Sequence, residues 1–163
     1  MAKTAKKRKK VVPIPAGYHS VTAYLAVSDG GRAIDFYKKA FAAKELLRMA
    51  GPGGKVGHAE VRIGDSHVML ADEHPNMGFL GPQSRGGTTV QLHVYVKDVD
   101  ATVEKALAAG ATLKRPLQNQ FYGDRTATVE DPFGHVWYVA THVEDVPPKE
   151  IARRAAEEMK KTA

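Results

Sequence analysis

The chain has 163 residues, with 24 Lys and Arg against 18 Asp and Glu and no cysteine. A hydrophobic content of 43% with 26% charged residues suits a globular chain with a real core, and the missing cysteines exclude disulfides, thiolate nucleophiles and Cys-based metal centres. The formal charge of +6 suggests nucleic-acid binding, but six cations (Lys3, Lys6, Lys7, Arg8, Lys9, Lys10) lie in residues 1–10 and the remainder balances at 18 against 18, so no basic face over the fold is expected.

Residues 1–17 read as a disordered basic arm ending in Pro13-Ile14-Pro15-Ala16-Gly17. From Val21 the pattern alternates, with Val21, Ala23, Leu25 and Val27 against Thr22, Tyr24 and Ala26, which predicts a half-buried strand. Asp29 is placed to cap a helix over 31–42, whose apolar stripe is Ile34, Tyr37 and Phe41. Strands follow at 44–50, 56–63 and 66–72, separated by glycine-rich turns. The Pro/Gly-punctuated stretch from Glu73 to Gly87 carries Met77, Phe79 and Leu80, which either cover a binding face or pack at an interface between copies.

The order then recurs. A strand at 89–96 precedes Asp98, which caps a helix with the stripe Val99, Val103, Ala106 and Leu107 and a stop at Gly110. Strands are expected at 111–117, 124–130 and 135–142. Val27-Ser28-Asp29 matches Val96-Lys97-Asp98 at an offset of 69, and His67-Val68-Met69-Leu70 matches His135-Val136-Trp137-Tyr138 at 68. Two copies of one βαβββ unit are therefore expected: module one over 18–73, a loop over 73–87 and module two over 88–143. Residues 147–163 form a helix with i,i+4 charge pairs, either a cap on the fold or a partner-binding helix. No apolar run is long enough to span a membrane, and no apolar segment follows the charged N-terminus, so a cytoplasmic protein is expected.

Each sheet should pack one face on its helix and present the other. Period 2 puts Thr22 and Tyr24, then His58, Glu60 and Arg62, then Val68 and Leu70 on the presented face of module one. In module two it puts Gln91, His93 and Tyr95, then Asp124, Thr126 and Thr128, then Val136, Tyr138, Ala140 and His142 there. Such a mixture of polar and aromatic groups reads as a small-molecule pocket lining; the plainer alternative is a solvated sheet face. Arg125, in the turn beside this face, suits an anionic ligand or a structural ion pair. His67 and His135 are expected to point away. Neither a phosphate-loop motif nor a nucleophile elbow is present.

The segments Tyr24-Leu-Ala-Val-Ser-Asp, His58-Ala-Glu-Val-Arg-Ile-Gly-Asp-Ser, Gln91-Leu-His-Val-Tyr-Val-Lys-Asp-Val-Asp and Glu130-Asp-Pro-Phe-Gly-His-Val-Trp resemble the vicinal oxygen chelate superfamily. That superfamily holds glyoxalase I, extradiol dioxygenases and bleomycin- and fosfomycin-resistance proteins, and the likeness is greatest to its PhnB-like branch. The resemblance covers residues 18–148 and implies an α+β fold: two βαβββ modules forming a cup-shaped mixed sheet with helices on the outer face, often completed across a homodimer. In metal-dependent members four cup positions hold His or Glu; matched by motif, these are Thr22, Leu70, Gln91 and Tyr138 here. None is a strong transition-metal ligand, which argues against metal-dependent chemistry at those positions.

The function expected is therefore metal-free binding of a small molecule, with no cofactor, in a cup lined by both modules. Its lining would be Thr22, Tyr24, His58, Glu60, Arg62, Gln91, His93, Tyr95, Arg125 and Tyr138. One alternative is a lyase or dioxygenase with its metal relocated to His58, Glu60 and His93, or metal-free acid–base chemistry on the same residues. Another is weak, non-specific nucleic-acid contact through residues 1–10.

Overall fold

In the computed structural model, which describes residues 11–162, the elements run β1 (Ala23–Val27), α1 (Gly30–Phe41), β2 (Lys44–Ala50), β3 (Val56–Ile63), β4 (Ser66–Asp72), α2 (Pro82–Arg85), β5 (Gln91–Tyr95), α3 (Val99–Ala108), β6 (Thr112–Asn119), β7 (Asp124–Glu130), β8 (Val136–His142) and α4 (Pro148–Thr162). Both expected caps form. Asp29 accepts from the Arg32 N–H at 2.9 Å and Asp98 from the Ala101 N–H at 3.0 Å, each satisfying an orphan donor of a first helical turn.

The strands make two mixed sheets, ordered β1-β4-β3-β2 and β5-β8-β7-β6, with the first strand of each module parallel to its last and the other pairs antiparallel. This is the α+β architecture expected, with the duplication intact. The first and fifth strands start two residues later than their alternation suggests, leaving Val21 and Val90 exposed ahead of them.

One register differs from expectation. Tyr24 pairs with Met69 and His93 with Tyr138, so an offset of 69 relates the fourth and eighth strands as well as the first and fifth. From Val61 to its partner Val68 the chain is one residue shorter than from Val129 to its partner Trp137, which the sequence match at 68 does not register. A slip of one residue exchanges the two faces of a strand. Val68 and Leu70 therefore lie in the core, 8% and 0% exposed, while His67 and Met69 take the presented face.

Helix α1 is buried more broadly than the three-residue stripe implied: Phe36 is also enclosed, because α1 meets both modules. It packs on its own sheet and against α3, and the Tyr37 and Phe41 rings sit 5.5 and 4.7 Å from that of Trp137 on β8. One apolar cluster runs through both modules. Buried Asp131 joins them, accepting from Tyr37 Oη–H at 2.8 Å, Trp137 Nε1–H at 3.0 Å and the N–H groups of Phe133 and His135 at 2.9 and 3.0 Å. Burial first, and then the carboxylate, push the Tyr37 phenol well above its ordinary pKa.

The two modules are joined through their helices: α1 packs against α3, and among the described residues no strand ladder crosses from one sheet to the other.

The C-terminal helix is held by Arg154, which donates to Phe121 O at 3.3 Å and to the carboxylates of Glu144 and Glu150 at 2.8 Å. Its inner face is short, with Ile151 and Ala155 half-buried and Met159 exposed. Among the described residues no helix is long and apolar enough to cross a membrane.

Candidate functional site

The presented face of module one carries a chain of four hydrogen-bonded side chains. Alternation on β3 brings His58 and Glu60 to one side, opposite Ala59 and Val61, which are wholly buried. Glu60 Oε1 lies 3.2 Å from His58 Nε2, and His58 Nδ1 lies 3.0 Å from the Tyr24 hydroxyl. An ionised Glu60 can only accept, so Nε2 carries the proton and Nδ1 accepts from Tyr24. Tyr18 donates to the other carboxylate oxygen of Glu60. That bond first, then the one from His58, hold the Glu60 carboxyl below its ordinary range against the opposing effect of desolvation; the same bond raises the Tyr18 phenol.

A cavity of about 540 Å³ opens between this face and the loop after β4, lined by Tyr24, Lys55, Gly57, His74, Met77 and Phe79. The Phe79 and Tyr24 rings approach to 5.2 Å. The loop is anchored by Glu73, which accepts from the Gly81 N–H at 2.7 Å and from Ser84 at 2.9 Å. Met77 and Phe79 of this loop line the cavity.

The module-two face is built differently. Buried Asp124 accepts from Tyr95 Oη–H at 2.8 Å and lies 2.7 Å from His142 Nδ1, whose Nε2 is 2.9 Å from Asp145. The Tyr122 and Tyr138 hydroxyls are 2.9 Å apart, and Tyr138 and Gln120 both donate to Thr126, at 3.2 and 2.8 Å. The His93 ring lies between those of Tyr95 and Tyr138, with centroids at 4.7 and 5.0 Å. Hydrogen bonds to Asp145 first, then Asp124, raise the His142 pKa; the bond to Asp124 raises that of Tyr95, and burial, then Tyr138, raise that of Tyr122. Thr128, opposite Tyr138 on β7, has a buried hydroxyl with no partner among the described residues.

Tyr24, His58 and Glu60 thus come together on one half, and His93, Tyr95 and Tyr138 on the other. Thr22 and Gln91 stand at the starts of β1 and β5, and exposed Gln91 faces the same way as His93. One expected lining residue lies elsewhere. Arg125 turns to the helix side and makes a two-pronged pair with Asp100, 2.7 Å at each prong, because β7 alternates about Asp124 and Thr126. Arg62 keeps to the presented face, opposite His67, but at the end of β3, where it lines a cleft at the module junction. His135 points away as expected, to the Ala26 carbonyl at 2.9 Å, but His67 does not: its ring packs edge-on at 4.3 Å against Tyr18. Sequence patterning passed over Tyr18, which lies just beyond the basic arm, and put Asp124 and His142 on the presented face without counting them in the lining.

The superfamily's metal positions do not fit a transition metal here. With the register above, Met69 rather than Leu70 stands at the module-one position, and Thr22, Met69, Gln91 and Tyr138 supply no imidazole or carboxylate. Within one chain the relocated set does not assemble: His58 and Glu60 share one sheet and His93 lies on the other, and among the described residues no three His, Asp or Glu side chains converge on a metal-binding geometry. The expected polyanion contact of residues 1–10 lies outside the described residues.

Residues 17–139 match the family model for the Glyoxalase/Bleomycin resistance protein/Dioxygenase superfamily. An uncharacterised protein of Mycobacterium bovis is 47% identical over 135 residues, covering 81% of this chain and 89% of its own. Among solved structures, TioX from Micromonospora sp. ML1 superimposes with a TM-score of 0.60 at 29% identity, covering 79% of this chain and 100% of TioX. The PhnB protein from Bacillus cereus gives 0.60 at 19% identity, over 76% of this chain and 99% of its own, a likeness of fold alone. With its duplicated βαβββ modules, parallel closing strands and matched family model, the chain belongs to the glyoxalase/bleomycin resistance protein/dioxygenase superfamily.

Proposed function

We propose that this protein is a homodimeric binder of a small, partly aromatic organic molecule. Each cup is built from the module-one face of one copy and the module-two face of the other, with no resident transition metal at the superfamily's positions. The observation that carries this reading is the pair of hydrogen-bonded aromatic faces, each half-open to solvent: Tyr24 is 48% exposed and Tyr95 62%. Aromatic rings steadied by a histidine and a carboxylate are costly on a free surface and suit a ligand that needs contact area and a few fixed polar groups.

The edges of the sheets support the pairing. Among the described residues β1 and β5 are edge strands with no strand on their outer side, and exposed Val21 and Val90 stand just ahead of them at equivalent places in the repeat. The opposite edges, β2 and β6, are interrupted by register shifts and carry Lys44, Arg48, Lys114 and Arg115, features that discourage pairing. Setting β1 of one copy beside β5 of the other brings two half-cups into one.

Binding is favoured over acid–base catalysis because His58 and His142 each have both ring nitrogens engaged. His93, whose ring makes only aromatic contacts among the described residues, and exposed Gln91 beside it are polar groups open to a ligand. A thermal-shift screen of small aromatic acids, amides and heterocycles tests the reading. A binding compound should raise the melting temperature equally with and without EDTA, and His93→Ala should weaken its affinity about tenfold, the loss of one polar contact and one stacking face. Stabilisation that requires an added divalent metal would overturn it.

A further inference from the structure

A second cleft, of about 640 Å³, lies at the junction of the modules, away from the Tyr24–His58–Glu60 chain. Its lining includes six cations and no acid: Lys38 and Lys39 from the last turn of α1, Lys44 from the start of β2, Arg62 from the end of β3, Lys97 after β5 and Lys105 from α3. Only Lys38 meets a carboxylate, that of Glu45; among the described residues no ion pair forms at the other five.

Lys38, Lys39 and Lys105 sit in last helical turns, where a cation is favoured by the helix dipole, and that alone would explain them singly. It does not explain Lys44, Arg62 and Lys97, which belong to no helix and come from both modules. Beyond residue 10 the chain is formally neutral, so gathering six cations without an acid at one place is a local polarisation that the overall balance conceals. Unneutralised like charges around a concavity repel one another, and an anion seated among them relieves that repulsion while gaining from the field of all six.

We infer that this junction cleft binds a compact polyanion carrying two or more phosphoryl groups. The volume lies within the range of small-ligand sites and exceeds what a single phosphate fills. Flexible lysines act as point charges around such a group, and the Arg62 fork can take two oxygens of one phosphoryl. Tyr95, which also lines the cleft, places it at the border of the module-two face.

Inorganic tripolyphosphate is the probe, titrated calorimetrically into the full chain at low and physiological salt. Four proteins are compared: the wild type; the double variant Lys39→Ala/Lys105→Ala; a double variant of equal charge on α4, Lys149→Ala/Lys160→Ala; and a full-length variant with Lys3, Lys6, Lys7, Arg8, Lys9 and Lys10 each replaced by Gln. All the altered positions described are exposed, and unchanged melting curves establish that the variants fold. The cleft variant should lose about tenfold or more in affinity while the α4 and tail variants stay within about twofold. Equal losses in the cleft and α4 variants would mean non-specific attraction and overturn the proposal, as would loss confined to the tail variant. A short DNA duplex forms the other arm: if it binds in a way that depends on Lys39 and Lys105 while tripolyphosphate does not bind, the cleft reads a nucleic-acid backbone and the compact-ligand proposal fails.

Discussion

Asp124 is 4% exposed and holds Tyr95 on one oxygen and His142 on the other, and His142 reaches on to Asp145 at the surface. Two carboxylates on one imidazole favour its charged form, so the His142 pKa stands above 6.5, the value of an unperturbed imidazole. The sign of the linkage follows. Because the folded value is the higher one, the stabilisation from protonated His142 is fully present below about pH 6.5 and is lost as pH rises through the folded midpoint. An NMR titration should place the His142 midpoint above the ordinary histidine value, and Asp145→Asn should lower it. A midpoint at or below that value would mean that neither ion pair persists in solution.

At the scale of elements, the loop from β6 to β7 depends on one glycine. Gly123 has φ +102°, and a β-carbon there would fall 2.0 Å from the Glu144 carbonyl oxygen. Its own carbonyl accepts from the N–H groups of Val143 and Glu144 at 2.9 and 3.0 Å, which ties the chain leaving β8 to the loop that carries Tyr122. Neither the backbone conformation nor the space admits a side chain. Gly123→Ala should cost about 3 kcal/mol or more in urea unfolding, whereas Gly53→Ala, at φ +68° with nothing within 4 Å, should cost about 1 kcal/mol. Equal costs would show that the loop relaxes around the clash.

The whole molecule is governed by where its helices pack. Helices α1 and α3 meet, and Asp131 locks the two modules through Tyr37. The edge strands β1 and β5 stay open within the described sheets, and the proposed dimer uses both. Light scattering coupled to size exclusion should therefore give about twice the chain mass. Val21→Asp with Val90→Asp, which places four carboxylates along the two β1–β5 seams, should shift it to monomer and abolish binding of any cup ligand. A wild-type protein that runs as a monomer at concentrations where the ligand binds would refute the shared cup.

Much of this molecule is legible in its sequence, because two periodicities are local properties of the chain. Period-2 alternation located β3 and put His58 and Glu60 on one face; the Asp29 and Asp98 caps located both module helices; and the recurrence of Val-x-Asp at an offset of 69 announced the duplication. The register of the fourth strand was not legible, because it depends on the length of a turn, and a single residue there exchanges Leu70 for Met69. Nor was Arg125 beside Asp100, or the junction cleft, since both join residues that only helix packing brings together. Sequence alone determined the modules and the chemistry along each strand, for those follow from side chains within a few residues of one another. Tertiary structure decided which faces meet and where charge gathers, because these depend on contacts between distant segments that leave no local signal.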